Sequence, residues 1–250
     1  LDLLMFAQPP KAAWGRPEFL TDVPAFAQRL SRVPHPRIYH EEHLMRTWGN
    51  GILEEESDYI LMKDFAAPSY GAAFGVGDIV NYQTLRLKEA EHYRERLATA
   101  AEPRPLLDRA GASATVSLDP RAARVERGRL RFALNPGAKP HIFLSDDASG
   151  TVRITKDAPG FASAVVDVKE TAEVVFSETD YPGWTVRLDG REIERRRFDG
   201  IFVSAAVPAG RHNIVFSFNP PSFWLGLFLT LATIIRLIVR LPRRTRARAN

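Results

Sequence analysis

The sequence predicts an α+β protein: a small α/β layer, an antiparallel β-sandwich of jelly-roll type behind it, and one C-terminal transmembrane helix. Three observations predict this. Short runs of alternating apolar and polar residues fill the stretch from about Leu106 to Pro220, the segment before it mixes helical and strand spacing, and a continuous apolar run at 223–241 is followed by clustered arginine. The expected boundaries are 1–105 for the α/β layer, 106–221 for the sandwich, 222–241 for the membrane helix and 242–250 for a basic cytoplasmic tail.

In the first segment, "LDLLMF" and "RIYH" are strand-like, "DVPAFAQRLSRV" has helical spacing, and Thr84–Ala101 reads as an amphipathic helix with Leu85, Ala90, Tyr93 and Leu97 on one stripe. The proline-containing "EPRP" at Glu102–Pro105 ends that helix and serves as a linker. Eight short runs follow: "RLRFAL", "HIFLS", "TVRIT", "SAVVDV", "AEVVFSE", "WTVRLDG", "IFVSAAV" and "HNIVFSF". Gly, Pro and Asp separate them, the pattern of strands joined by turns, with "LDGRE" read as a tight hairpin and "PAGRH" as a second turn.

The apolar run "FWLGLFLTLATIIRLIVRL" is nineteen residues long, close to the ~20 needed to cross a hydrocarbon core. Its charges, Arg236 and Arg240, stand toward the C-terminal end, from which long side chains snorkel to the headgroups. Phe223 and Trp224 fit the aromatic belt at the opposite interface, and "PRRTRARAN" marks the cytoplasmic side by the positive-inside rule. The body is therefore expected outside the cell membrane. Leu1 is not a start residue and "LDLLMFAQPP" is too short an apolar run for a secretory signal, so the chain is expected to be a fragment carried across by preceding membrane helices.

Composition removes several function classes. Six arginines lie in the last fifteen residues, so a net charge of +4 leaves a body near −2 and does not mark a nucleic-acid binder. The mean hydropathy of −0.20 averages a polar body with an apolar anchor. There is no cysteine, which removes disulfides, thiolate metal sites and a cysteine nucleophile.

The candidate sites each carry a functional and a structural reading. In "YPGW", Tyr181 and Trp184 would form an aromatic platform for a sugar; the preferred alternative is a turn with Trp184 packed into the sandwich. Arg195 and Arg197, with Arg196 and Arg191, would meet lipid phosphate or an anionic polymer, although consecutive strand residues alternate faces and the preferred reading is a solvated sheet edge protected by charge. "HEEH" at His40–His43 lacks a third ligand and no metal is assigned, "GVGDIV" at Gly75–Val80 lacks the third glycine of a dinucleotide fingerprint, and Glu54, Glu55, Glu56 and Asp58 read as a solvated run. No catalytic residue and no cofactor are assigned.

Val174–Gly226, with Tyr181-Pro182-Gly183-Trp184, then Asp189-Gly190, then Pro208-Ala209-Gly210, then a strand ending in Pro before an apolar helix, resembles the C-terminal end of the YfhO-like family of bacterial membrane proteins. Asp2–Gln8 and Tyr70–Tyr93, with Gly77-Asp78 and Asn81-Tyr82, are similar to an earlier part of the family, with Asn81 where the family usually has glycine. The resemblance implies a multi-spanning glycosyltransferase of the GT-C type that takes sugar from a polyprenyl-phosphate donor to an envelope glycan or lipid. It also implies catalytic acids on an upstream loop, so this chain would be the non-catalytic part. The alternative is a membrane-tethered module that binds a glycan or a protein without transferase activity.

Overall fold

In the computed structural model, residues 22–50, 56–66, 71–79, 87–122 and 125–240 are described. The chain divides into two compact units, Leu1–His141 and Ile142–Asn250.

The first unit is a mixed sheet with helices. After α1 (Ala25–Leu30) come β1 (Arg37–His40), α2 (Glu42–Asn50), α3 (Glu56–Asp64), β2 (Gly77–Asp78), α4 (Lys88–Thr99), α5 (Arg104–Arg109), β3 (Ala112–Leu118) and β4 (Leu130–Leu134). The sheet order is β2-β1-β3-β4, with β1 parallel to both β2 and β3, and β4 antiparallel to β3. Parallel neighbours require helical crossovers, and the helices between β1 and β3 supply them. Phe26, Leu30, Ile38, Leu44 and Val116 form the core of this unit.

The α4 helix matches the expected stripe at Tyr93 and Leu97, both buried, while Leu85 lies outside the described residues. Pro105 does not open a bare linker. It stands in the first turn of α5, where a missing N–H costs nothing. The first alternating run, β4, and the strand β3 before it, both within the stretch expected to form the sandwich, join this sheet instead, because β3 finds its partner in β1 across the helices.

The second unit is an antiparallel sandwich followed by a helix. Its strands are β5 (Ile142–Leu144), β6 (Gly150–Ala158), β7 (Phe161–Val168), β8 (Ala172–Thr179), β9 (Trp184–Leu188), β10 (Arg191–Ile193), β11 (Arg196–Phe198), β12 (Phe202–Val207) and β13 (Gly210–Phe218). One sheet has the order β10-β9-β13-β7-β6 and the other β11-β12-β8-β5. Period-two alternation sends Val166, Val174, Phe176, Val203, Ile214 and Phe216 into the space between the sheets. Phe176 and Phe216 pack ring against ring there, with centroids 5.0 Å apart.

The expected hairpin at "LDGRE" is the β9–β10 connection. Asp189 and Gly190 take φ of 50° and 81°, the pair of positive values that a two-residue hairpin turn of matching twist needs. The turn at "PAGRH" does something else: it carries the chain from β12 in one sheet to β13 in the other. Two short strands, β10 and β11, were not separable in the sequence because the run "REIERRRF" has too little apolar alternation to signal them.

The C-terminal helix, α6, runs Pro221–Arg240 and is separated from the end of β13 at Phe218 by Asn219 and Pro220. Among the described residues no helix is long and apolar enough to cross a membrane. The part of α6 with described side chains, 221–237, rises about 25 Å at 1.5 Å per residue, short of a hydrocarbon core of roughly 30 Å. The expected helix is thus present, and its crossing of a bilayer is not part of what the structure describes.

Replacing Phe216 by Ala empties the centre of the sandwich, where it is fully buried against Phe176. The expected loss is about 3–5 kcal/mol, read as a lower urea midpoint for the sandwich transition.

Candidate functional site at the base of the sandwich

Of the four residues singled out for ligand contact, Arg195 and Arg197 converge on Asp180, and Arg195 also reaches the backbone of the turn that carries Tyr181 and Trp184. The chain turns between β8 and β9 at Tyr181–Trp184, where the Trp184 N–H donates to the Tyr181 carbonyl at 3.3 Å. Pro182 presets the turn and Gly183, with φ of 118°, completes it. A Cβ on Gly183 would also stand 2.9 Å from Pro220 Cα, so glycine is demanded by space as well as by conformation.

Asp180 is buried, and two guanidinium groups converge on it. Arg197 Nε donates to Oδ2 at 2.8 Å and Arg195 Nε stands 3.1 Å from Oδ1. Arg195 Nη1 further donates to the carbonyls of Tyr181 at 2.9 Å and Trp184 at 3.2 Å, tying the turn to the approach of β11. Arg196 points away and pairs loosely with the exposed Glu194 at 3.6 Å. The three arginines are thus sorted two to one, Arg195 just before β11 and Arg197 within it reaching Asp180.

The aromatic rings divide in the same way. Trp184 packs edge-on against Phe176 at 5.3 Å and tilted against Phe218 at 5.1 Å, half inside the core. Tyr181 lies outside, 45% exposed, with its ring 6.5 Å from that of Phe218. Asn219 N–H donates to the Gly183 carbonyl at 2.8 Å, which fastens the turn to the residues that lead into α6. The sequence missed Asp180, although an acid directly before the turn and two arginines at i and i+2 were the available signal.

In α6, Phe223, Trp224 and Arg236 are exposed, and nothing is described of the Arg240 side chain. Trp224 Nε1 donates to Asn219 Oδ1, again linking helix to strand end. Side chains from Pro221 to Leu237 are exposed on every side of the helix.

A family model described as bacterial membrane protein YfhO matches residues 149–230. Over this stretch the chain is YfhO-like. The match covers β6 to β13, the Asp180 corner and the first half of α6, and it supports a membrane location. No curated protein and no solved structure matches the chain. The earlier resemblance at Asp2–Gln8 and Tyr70–Tyr93 falls outside the YfhO-like stretch, and much of it lies outside the described residues.

The other candidates come apart. His40 ends β1 and is buried, with Nε2 3.2 Å from the Phe65 carbonyl, while His43 is exposed on α2; the two do not face one site. Burial pushes the His40 imidazole down to about 4, so it is neutral at pH 7. Gly77 and Asp78 form the short strand β2, and Val80, Glu54 and Glu55 lie outside the described residues, as do the side chains of Glu56 and Asp58.

At the other end of β9, His212 Nδ1 pairs with Asp189 Oδ2 at 2.7 Å, and Asp189 Oδ1 accepts the Asn213 N–H at 2.8 Å. The Asp189 hydrogen bond raises the His212 imidazole above its ordinary value. The Asn213 N–H first, and His212 second, hold the Asp189 carboxyl below its own. The histidine contribution is full below about pH 6.5 and is lost as pH rises through its folded value; the aspartate contribution is full above about pH 3.9 and is lost as pH falls through its folded value. An NMR titration should place His212 above an ordinary histidine, and Asp189→Asn should bring it back.

Asp180→Ala leaves two guanidinium groups without their shared carboxylate, and both arginines are partly solvated. The expected cost is about 1–3 kcal/mol after allowing for that solvation, with a shift in Trp184 emission. Arg196→Ala, on the opposite side, should change the urea midpoint by no more than about 0.5 kcal/mol.

Proposed function

We propose that α6 crosses the cytoplasmic membrane of a bacterium, with the two units outside and the arginine-rich end inside, and that this body is the non-catalytic part of a glycosyltransferase. In this reading the enzyme uses polyprenyl-phosphate-linked sugar and modifies an envelope glycan or lipid. The observation that carries the membrane step is α6 itself. Residues 221–237 rise about 25 Å, and the apolar run read from the sequence continues to Leu241. Phe228, Leu229, Ile235 and Leu237 are all more than half exposed on a helix that is apolar on all sides.

Its polar groups fit the same solvent. Thr230 Oγ1 donates to the Gly226 carbonyl at 2.9 Å and Thr233 Oγ1 to the Leu229 carbonyl at 2.8 Å, so both hydroxyls are satisfied without water. The orientation rests on the arginines at Arg236 and beyond. The transferase role rests on the YfhO-like stretch together with the resemblance read from sequence.

Leu229→Arg combined with Leu231→Arg should move the chain from the carbonate-resistant membrane pellet to the soluble fraction, since each central arginine costs about 2.5–3.5 kcal/mol on insertion scales. The activity is tested with the protein that carries this chain, assayed in membranes for sugar transfer from a polyprenyl-phosphate donor with and without residues 1–220. Transfer that falls on deletion supports an acceptor-positioning body. Transfer that is absent, or indifferent to the deletion, replaces it with a membrane-tethered binding module.

A further inference from the structure

We propose that the Tyr181–Phe218 corner docks into the lipid headgroup layer, so that the sandwich rests on the bilayer surface instead of swinging above it. This rests on the reading of α6 as a membrane-crossing helix. The first support is distance. Gly183 is bonded to Asn219 and stands against Pro220, and the apolar run begins at Phe223. Three residues of helix advance about 5 Å, whereas the headgroup region on each side of the hydrocarbon is about 5–7 Å deep. A helix that enters the hydrocarbon at Phe223 leaves the corner no room to stand clear of the headgroups.

The chemistry of the corner suits that layer. Tyr181 and Phe218 are 45% and 36% exposed and touch one another, and Phe223 and Trp224 continue the exposed aromatic surface into the first helical turn. Amphipathic rings settle at the membrane interface, where one end is apolar and the other wet. Cations surround them. Arg195 and Arg197 both lie against the buried carboxylate of Asp180.

Lys156 is a further cation, with Nζ 4.8 Å from the centre of the Phe161 ring at the β6–β7 turn, whose Gly160 carbonyl accepts the Phe218 N–H at 2.8 Å. Acids stand in the same stretches: Asp157 beside Lys156, Glu178 before Asp180, Glu192 and Glu194 before Arg195, and Asp199 after Arg197, with Glu194 paired with Arg196. Phosphodiester headgroups match this arrangement of guanidinium, ammonium and tyrosine. A bilayer is favoured over a soluble partner because the surface is continuous with α6.

The test exploits the absence of cysteine. Tyr181→Cys, Arg191→Cys and Leu231→Cys variants of the full chain are each labelled with an environment-sensitive fluorophore in phosphatidylethanolamine and phosphatidylglycerol vesicles. Quenching is read from headgroup-labelled and acyl-chain-labelled lipids in turn. Arg191 marks the opposite end of β9, where it pairs with Leu188.

The expected result is acyl-chain quenching at 231, headgroup quenching at 181 several-fold above that at 191, and a blue-shifted emission at 181. Quenching at 231 with position 181 indistinguishable from 191 overturns the docking and keeps the anchor, leaving Tyr181 open to a glycan. No acyl-chain quenching at 231 overturns the anchor and the docking with it. Pro182→Cys, at an exposed position of the same turn, repeats the measurement if Tyr181→Cys does not fold.

Discussion

The hydrogen bond from Asn219 to the Gly183 carbonyl joins the sandwich to the helix, and much of the arrangement at that end depends on it. The strand leading into it, β13, lies between β9 and β7 at the centre of its sheet, so the helix is rooted in a central strand of the sandwich and not in an edge. Only Asn219 and Pro220 separate the two elements, and Pro220 and Pro221 restrict the backbone where it turns. The requirement for glycine at 183 follows from this closeness, since a side chain there would press into Pro220.

The sandwich was legible because its runs obey a period of two and because one face of each must be buried. Seven of the eight runs lie in it. The eighth, Leu130–Leu134, belongs to the mixed sheet, and local pattern cannot show this: antiparallel pairing with β3 looks the same from sequence in either unit. The parallel pairing of β1 with β3 was hidden for a related reason, because it joins residues far apart in the chain. Mixed sheets are specified by long-range contacts that alternation does not encode.

The site was legible as residue types and not as an arrangement. Arg195 and Arg197 are gathered by Asp180, a single carboxylate with no motif of its own, and Arg195 is tied to the Tyr181 and Trp184 carbonyls. The sequence did show that three adjacent arginines alternate sides; Arg196 with Glu194 bears this out in the structure. What it did not show is that the backbone carbonyls of the turn would hold Arg195 in place. Polar networks of this kind are set by tertiary geometry, and their members carry no spacing signal.

The two-residue joint between β13 and α6 makes the sandwich a lever. Helices in bilayers lean by about 20° on average and adjust that lean to bilayer thickness. β13 has nine residues, a length of about 30 Å at 3.4 Å per residue. For a body fixed to its helix, such a change in lean moves the far loops at Asp189-Gly190 sideways by roughly 10 Å. With α6 crossing a bilayer as proposed, a thinning or thickening of that bilayer would be converted, without any change inside the fold, into a lateral displacement of the Asp189-Gly190 end of the sandwich.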